Sequence, residues 1–376
     1  MSNPSVDSQG DYRRAHIKAL DGLRGYAAII VCFFHAILHI DSTAVDRILS
    51  PAIDKIGTGD LLLKIVLMFF NGTTAVMLFY VLSGAVLCQS LLKNDLSVMR
   101  ILLFLARRVL RLFPGMMVCI GAVWLTSAVL RWAGLSFPVV EFKDALLNAF
   151  LIEIKVLGPT TSIQIEALAT PFILLFFLLY RKYSVMAVVL LFSLSIVAIS
   201  RPELVFFLPN MRGSVFVFLA GMLVAMPESR ALFSGVKGWQ ILVLVIFAFI
   251  VRHFTPLEAD LMGFIAQIIL LAAIVGFIRW SEVQTTVHRF LEIPLSQFFG
   301  KISYSYYLWN VPVLWFVWWT MSLESYFAGL GQIYGGLMYG MVAAIATIPF
   351  AYLSYRYVEL PFMRIGGKVT AHFSRG

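Results

Sequence analysis

The chain has 376 residues, 60% of them hydrophobic and only 13% charged, with a formal net charge of +9. Soluble domains are about half apolar and a quarter charged, so this composition excludes a soluble globular enzyme. It predicts an all-α polytopic bundle in a lipid bilayer, because helices satisfy their own backbone groups there.

Residues 1–16 are polar and are expected to be a disordered cytoplasmic leader. They lack the charged, apolar and small-residue succession of a cleaved signal peptide. The first long apolar run reads LDGLRGYAAIIVCFFHAILHI, Leu20 to Ile40, long enough to cross a membrane as a helix. It carries Arg24 and His35, eleven positions apart. Eleven steps of 100° leave both side chains on one face, about 16 Å apart along the axis. A fixed cation and a titratable imidazole on one stripe of a membrane helix are costly and point to a protein interior or wet cavity. A buried ion pair with a satisfied core histidine is the structural alternative.

Further apolar runs follow, giving spans at 17–40, 65–92, 101–132, 166–180, 185–199, 205–226, 239–253, 261–280, 295–320 and 334–357. That makes about ten transmembrane helices. They form one membrane domain over 17–360, followed by a cytoplasmic tail at 361–376. The stretch 145–157 is too short to span and reads as an interfacial or re-entrant piece on the outer side. With the N-terminus inside, 20 of the 29 Lys and Arg residues but only 8 of the 20 acids fall at cytoplasmic ends. The positive-inside rule then places both termini in the cytoplasm. Orientation thus explains the net charge, which argues against a nucleic-acid partner. Cys32, Cys88 and Cys119 lie in apolar surroundings with no metal-ligand spacing, so no metal site is expected.

Four more clusters hold polar groups. In ARRVLRLFP, Arg108 and Arg111 share a helix face. Guanidinium forks match phosphate oxygens, and a lipid-phosphate anchor fits the same residues. In TSIQIE, Glu166 stands against an apolar run. It is a candidate acid, base or acceptor-binding group, or a helix N-terminal carboxylate favoured by the macrodipole. GKISYSYYLWNVPV sets Ser303, Tyr304, Ser305 and Asn310 among aromatics, a pattern that an interfacial belt also produces. In YVELPFMR, Glu359 lies near Arg356 and Arg364, as in an ordinary salt bridge. There is no Walker loop, GxSxG elbow, HExxH or CxxC.

In this order the motifs resemble those of the acyltransferase-3 family of integral membrane acyltransferases. LDGLRGYAAIIVCFFH resembles its opening signature, with Arg24 and His35 as the arginine and histidine. FYVLSGAVL resembles its second-span segment, and Arg108 to Arg111 its RxxR motif. TSIQIE, SYSYYLWN and YVELP resemble its serine-to-glutamate, late aromatic and closing segments. Three positions depart: Asn310 stands where histidine is usual, Leu360 where arginine is usual, and Thr161 where tryptophan is common. The fused extracytoplasmic hydrolase-like domain of some members is not expected.

The resemblance implies an O-acyltransferase of the bacterial inner membrane. It would use cytoplasmic acyl-CoA, above all acetyl-CoA, and a hydroxyl of a lipid-linked or cell-surface glycan. Homo-oligomers or glycan-assembly partners are compatible with it. Arg108 and Arg111 would hold the CoA phosphates, and His35 would act as general base. Arg24 would orient the donor or stabilise the oxyanion, and Glu166 would bind the sugar or orient His35. A transporter or flippase of a lipid-linked or anionic substrate is the rival class. It predicts inverted repeats, which the sequence does not display.

Overall fold

The computed structural model describes residues 6–92, 97–135, 137–208, 210–235, 237–254, 260–320 and 324–373. Lys93 and Arg375, two of the cations counted as cytoplasmic, lie outside the described residues. Among the described residues every regular element is helical.

In chain order the α-helices are α1 (Val6–Ile40), α2 (Leu61–Phe69), α3 (Gly72–Leu92), α4 (Val98–Trp132) and α5 (Phe142–Ala149). Next come α6 (Thr160–Tyr183), α7 (Val185–Ser200), α8 (Ser214–Ala225), α9 (Arg230–Phe233) and α10 (Gly238–Ile250). The last six are α11 (Leu261–Trp280), α12 (Thr286–Glu292), α13 (Pro294–Thr320), α14 (Glu324–Gly329), α15 (Gln332–Ser354) and α16 (Leu360–Phe373). Helix α1 begins inside the polar leader, and α16 occupies most of the stretch read as a tail.

Local chemistry sets several boundaries. The Ser97 hydroxyl accepts from the Arg100 amide at the start of α4, and the Asp260 carboxylate accepts from the Gly263 amide at the start of α11. Each satisfies an amide that the first turn leaves without an intrahelical partner. The expected run at 205–226 is helical only from Ser214. Phe206 and Phe207 adopt positive φ of 54° and 53°, which no α-helix accommodates.

Six helical segments are long and apolar enough to cross a bilayer: Lys18–Ile40, Thr58–Leu92, Val98–Trp132, Thr160–Tyr183, Leu261–Trp280 and Gln332–Ala371. The pair Ser214–Ala225 and Pro227–Phe233, bent by 71°, makes up to seven. The expectation of about ten counts three further helices. Helices α7 and α10 are short, with 16 and 13 residues, and the 27-residue α13 is rich in Tyr, Trp and Ser.

The chain divides into two compact units. The first comprises Met1–Ile30, Val45–Lys93 and Pro171–Lys301; the second comprises Val31–Ala44, Asn94–Thr170 and Ile302–Gly376. In the first unit α3 crosses α8 at close range. A Cβ on Gly84 would run into the Phe218 carbonyl, and one on Gly221 into the Val81 carbonyl. Small residues permit this approach, which dispersion then stabilises where no hydrophobic drive acts between helices. The opening motif packs in the same way, for a Cβ on Gly25 would meet the Phe299–Gly300 backbone. Tyr26 donates to or accepts from Ser296 at 3.0 Å and stacks on Phe290 with centroids 5.2 Å apart. Much of LDGLRGY therefore serves packing within this unit.

The second unit has a core of Leu112, Met116, Cys119, Ile120, Val123, Ile163, Leu308 and Val311, joined by Ala145, Val156 and Leu157. All three cysteines are buried and free.

Because backbone cannot yield as a flexible side chain does, Gly221→Val should cost at least the about 1–3 kcal/mol typical of overpacking. The expected readout is a lower melting temperature and less monodisperse protein in detergent. An unchanged melting temperature would show that the α3–α8 crossing is looser than described.

Candidate functional site

Helix α13 organises the polar groups of the second unit. Its segment SYSYYLWN contains Tyr304, Ser305, Tyr306, Tyr307 and Asn310, and each reaches a different neighbour. The Tyr304 hydroxyl donates to the Leu112 carbonyl of α4. The Ser305 hydroxyl donates to Glu359 Oε2 at 3.0 Å, and the Tyr306 hydroxyl donates to the Ala344 carbonyl of α15 at 3.0 Å. The Tyr307 hydroxyl donates to Ser162 Oγ of α6 at 2.9 Å. Asn310 is fully buried, and its Oδ1 lies 2.9 Å from His35 Nδ1 on α1. Its amide nitrogen donates back to the Tyr307 carbonyl at 2.6 Å and the Tyr306 carbonyl at 3.3 Å. Pro312 has no N–H to offer the Leu308 carbonyl four residues earlier. The Cys119 thiol donates to that oxygen at 3.5 Å.

Helix α6 presents a matching stripe. Ser162, Glu166 and Thr170 follow at four-residue intervals, so they stack along one face. Ser162 meets Tyr307, and the two below it meet Arg108. Arg108 donates from Nε to Thr170 Oγ1 at 2.6 Å and from Nη2 to Glu166 Oε1 at 2.9 Å. The side chains of Arg108 and Glu166 are 7% and 23% exposed. A charge-assisted pair so removed from water is a fixed element of structure.

The stretch before α6 fixes where that stripe begins. It folds as the short helix α5 and a loop gathered by Asn148, which is fully buried. Asn148 Oδ1 accepts from the amides of Val156 and Leu157, both at 3.0 Å, and its Nδ2 donates to Thr160 Oγ1 at 2.7 Å. Gln164 adds a bond to the Leu151 carbonyl at 2.7 Å. A single side chain thereby supplies the hydrogen bonds that loop backbone needs when buried.

Of the five residues expected at the site, four fall in the second unit: His35, Arg108, Arg111 and Glu166. Arg108 and Glu166, 58 positions apart in sequence, meet directly. Their pairing occupies one of the two arginines expected to hold phosphate. Arg111 is half-buried and makes no hydrogen bond or ion pair among the described residues, so its fork is the one open to an anion. Arg24 lies in the first unit, 15% exposed, with Asp21 Oδ1 3.9 Å from its Nη1. Glu359 differs from the sequence reading. It is buried and accepts from Ser305, whereas Arg356 and Arg364 are exposed and form no ion pair among the described residues.

Sequence reasoning gave Asn310, Tyr307, Ser162 and Thr170 no part in the chemistry of the site. The signal for the first three was present, as polar residues recurring inside apolar helices. Their partners lie 275 and 145 positions away and leave no local trace. Among the described residues no group of three or more His, Cys, Asp or Glu side chains could hold a metal ion.

These observations define a helical membrane protein with a half-buried imidazole held by an amide, a fixed carboxylate–guanidinium pair and an uncommitted arginine. A family model described as an acyltransferase domain matches residues 17–356, and the chain belongs to this acyltransferase-3 family. It is 24% identical, over 79% of its length, to proteins named "Putative O-acetyltransferase" in Staphylococcus aureus strains COL, MSSA476 and MRSA252. It spans about half, 54%, of the length of these curated relatives. No solved structure matches it.

The two arginines should separate by stability. Arg108→Met strands a half-buried carboxylate and should cost about 1.5–3 kcal/mol, read as a lower melting temperature in detergent. Arg111→Ala should leave the melting temperature unchanged. Equal effects would contradict the division between a structural and an open guanidinium.

Proposed function

We propose that the chain is a membrane O-acyltransferase that moves a short acyl group, acetyl or similar, from cytoplasmic acyl-CoA to a hydroxyl of a lipid-linked or cell-surface glycan. It would act as one membrane domain over 17–360 of about ten spans, with both termini cytoplasmic in a bacterial inner membrane. Family membership and the named relatives support acyl transfer; donor, acceptor and membrane are this reading's own. The observation that carries it is His35 on α1, held by its hydrogen bond to Asn310 Oδ1 of α13.

In the proposed reaction His35 takes the proton from the acceptor hydroxyl. The alkoxide-like oxygen attacks the thioester carbonyl, the C–S bond breaks, and imidazolium returns the proton to the departing thiolate. General base catalysis of this kind contributes about 10²–10⁴-fold. Arg111, uncommitted at its place on α4, binds a CoA phosphate. Arg24 orients the donor or stabilises the oxyanion that develops. Glu166, fixed by Arg108, accepts hydrogen bonds from the acceptor sugar.

His35→Ala should lower acyl transfer at least about 10²-fold in purified, folded protein, and retained turnover would remove the histidine from the mechanism. Arg111→Ala should raise KM for acyl-CoA about tenfold, the equivalent of about 1.4 kcal/mol, with the acceptor KM unmoved. Unchanged acyl-CoA affinity with a fallen kcat would contradict the phosphate-binding role.

A further inference from the structure

Asn310 occupies a position at which the sequence departs from the family pattern, and its geometry gives it a task. Which way an amide points is decided by its hydrogen-bond network. Here one end of the Asn310 amide faces two backbone carbonyls, those of Tyr307 at 2.6 Å and Tyr306 at 3.3 Å. Carbonyls only accept, so that end is the NH2. The other end, 2.9 Å from His35 Nδ1, is therefore the oxygen. An amide oxygen cannot donate, so the proton between the two residues sits on Nδ1 of His35. In a neutral imidazole the second nitrogen is then the acceptor, because the bond at one ring nitrogen sets the state of the other.

We infer that Asn310 is a positioning residue that holds His35 in the Nδ1–H tautomer and so leaves Nε2 as the atom that takes the acceptor's proton. This rests on the reading of His35 as general base. The arrangement is rigid. Asn310 is fully buried, and the helical turn before it is tied on two sides, by Tyr306 to Ala344 and by Tyr307 to Ser162. Among the described residues His35 makes no other hydrogen bond, so no second group competes to set its tautomer. An amide also does this work without charge. A carboxylate in its place would add a second ionisable group inside the membrane, with the desolvation cost that entails. The logic is that of the orienting partner in a catalytic triad, where loss of the correct tautomer abolishes most of the base's contribution.

The test is the nitrogen NMR spectrum of full-length protein labelled with 15N-histidine in lipid nanodiscs. Its 6 histidines can be sorted by the resonance that disappears in His35→Gln. The wild-type His35 signals should show a protonated Nδ1 and an unprotonated Nε2. In Asn310→Leu, similar in size but unable to accept, the proton should move to Nε2. In the same variant kcat should fall about 10- to 100-fold, within the range a general base supplies, with KM for acyl-CoA unchanged. A wild-type His35 protonated at Nε2 would overturn the assignment without recourse to any variant. So would an Asn310→Leu protein with unaltered tautomer and kcat. His35→Ala measured alongside separates the two ideas. If it stays active the general-base reading fails, whereas an inactive His35→Ala beside a fully active Asn310→Leu sinks only the role of Asn310.

Discussion

A polar group buried away from water must find its hydrogen-bond partner within the protein. Helix α13 shows the consequence most sharply. Over seven consecutive positions it carries Tyr304, Ser305, Tyr306, Tyr307 and Asn310, and their side chains are tied respectively to α4, Glu359, α15, α6 and α1. Each bond on its own is worth about 1 kcal/mol net. Together they give the second unit a defined arrangement that non-directional apolar packing does not supply by itself.

The same bonds place the groups with chemical potential. The Tyr307 hydroxyl reaches Ser162, and four and eight residues along that face of α6 stand Glu166 and Thr170, which secure Arg108. One turn on from Tyr307, Asn310 reaches His35. A single helix therefore links the imidazole to the carboxylate–guanidinium pair through short steps of fixed geometry. Sites that act on bound substrate need such second supports, since a loosely held first contact loses most of its effect.

Much of this was legible in the sequence, and what was not has a physical cause. The apolar runs announced membrane helices because hydropathy is a local property. Arg24 and His35 could be put on one helix because eleven residues is a periodicity argument. The pairing of Arg108 with Glu166 could not be read this way, as it joins residues 58 positions apart. For the same reason one of the two arginines expected to bind phosphate proved committed elsewhere. Asn310 was visible as an amide among aromatics and as a departure from pattern, but its partner lies 275 positions away. The glycines of LDGLRGY look like part of a functional signature, yet Gly22 and Gly25 stand where a Cβ would strike backbone of the same unit. The stretch at 145–157 reads as too short to span, and the helix that enters it, α5, has only 8 residues. Its organisation around Asn148 depended on side-chain bonds that composition does not encode.

The central claim is acyl transfer to a glycan through the imidazole on α1. It is tested most directly by mass spectrometry of surface polysaccharide and glycolipid from cells that carry the chain, cells that lack it, and cells that carry His35→Ala at equal abundance. The account predicts a short-acyl increment on one glycan class in the first cells and its loss from both others. Identical spectra from all three, or an increment that persists with His35→Ala, would contradict it.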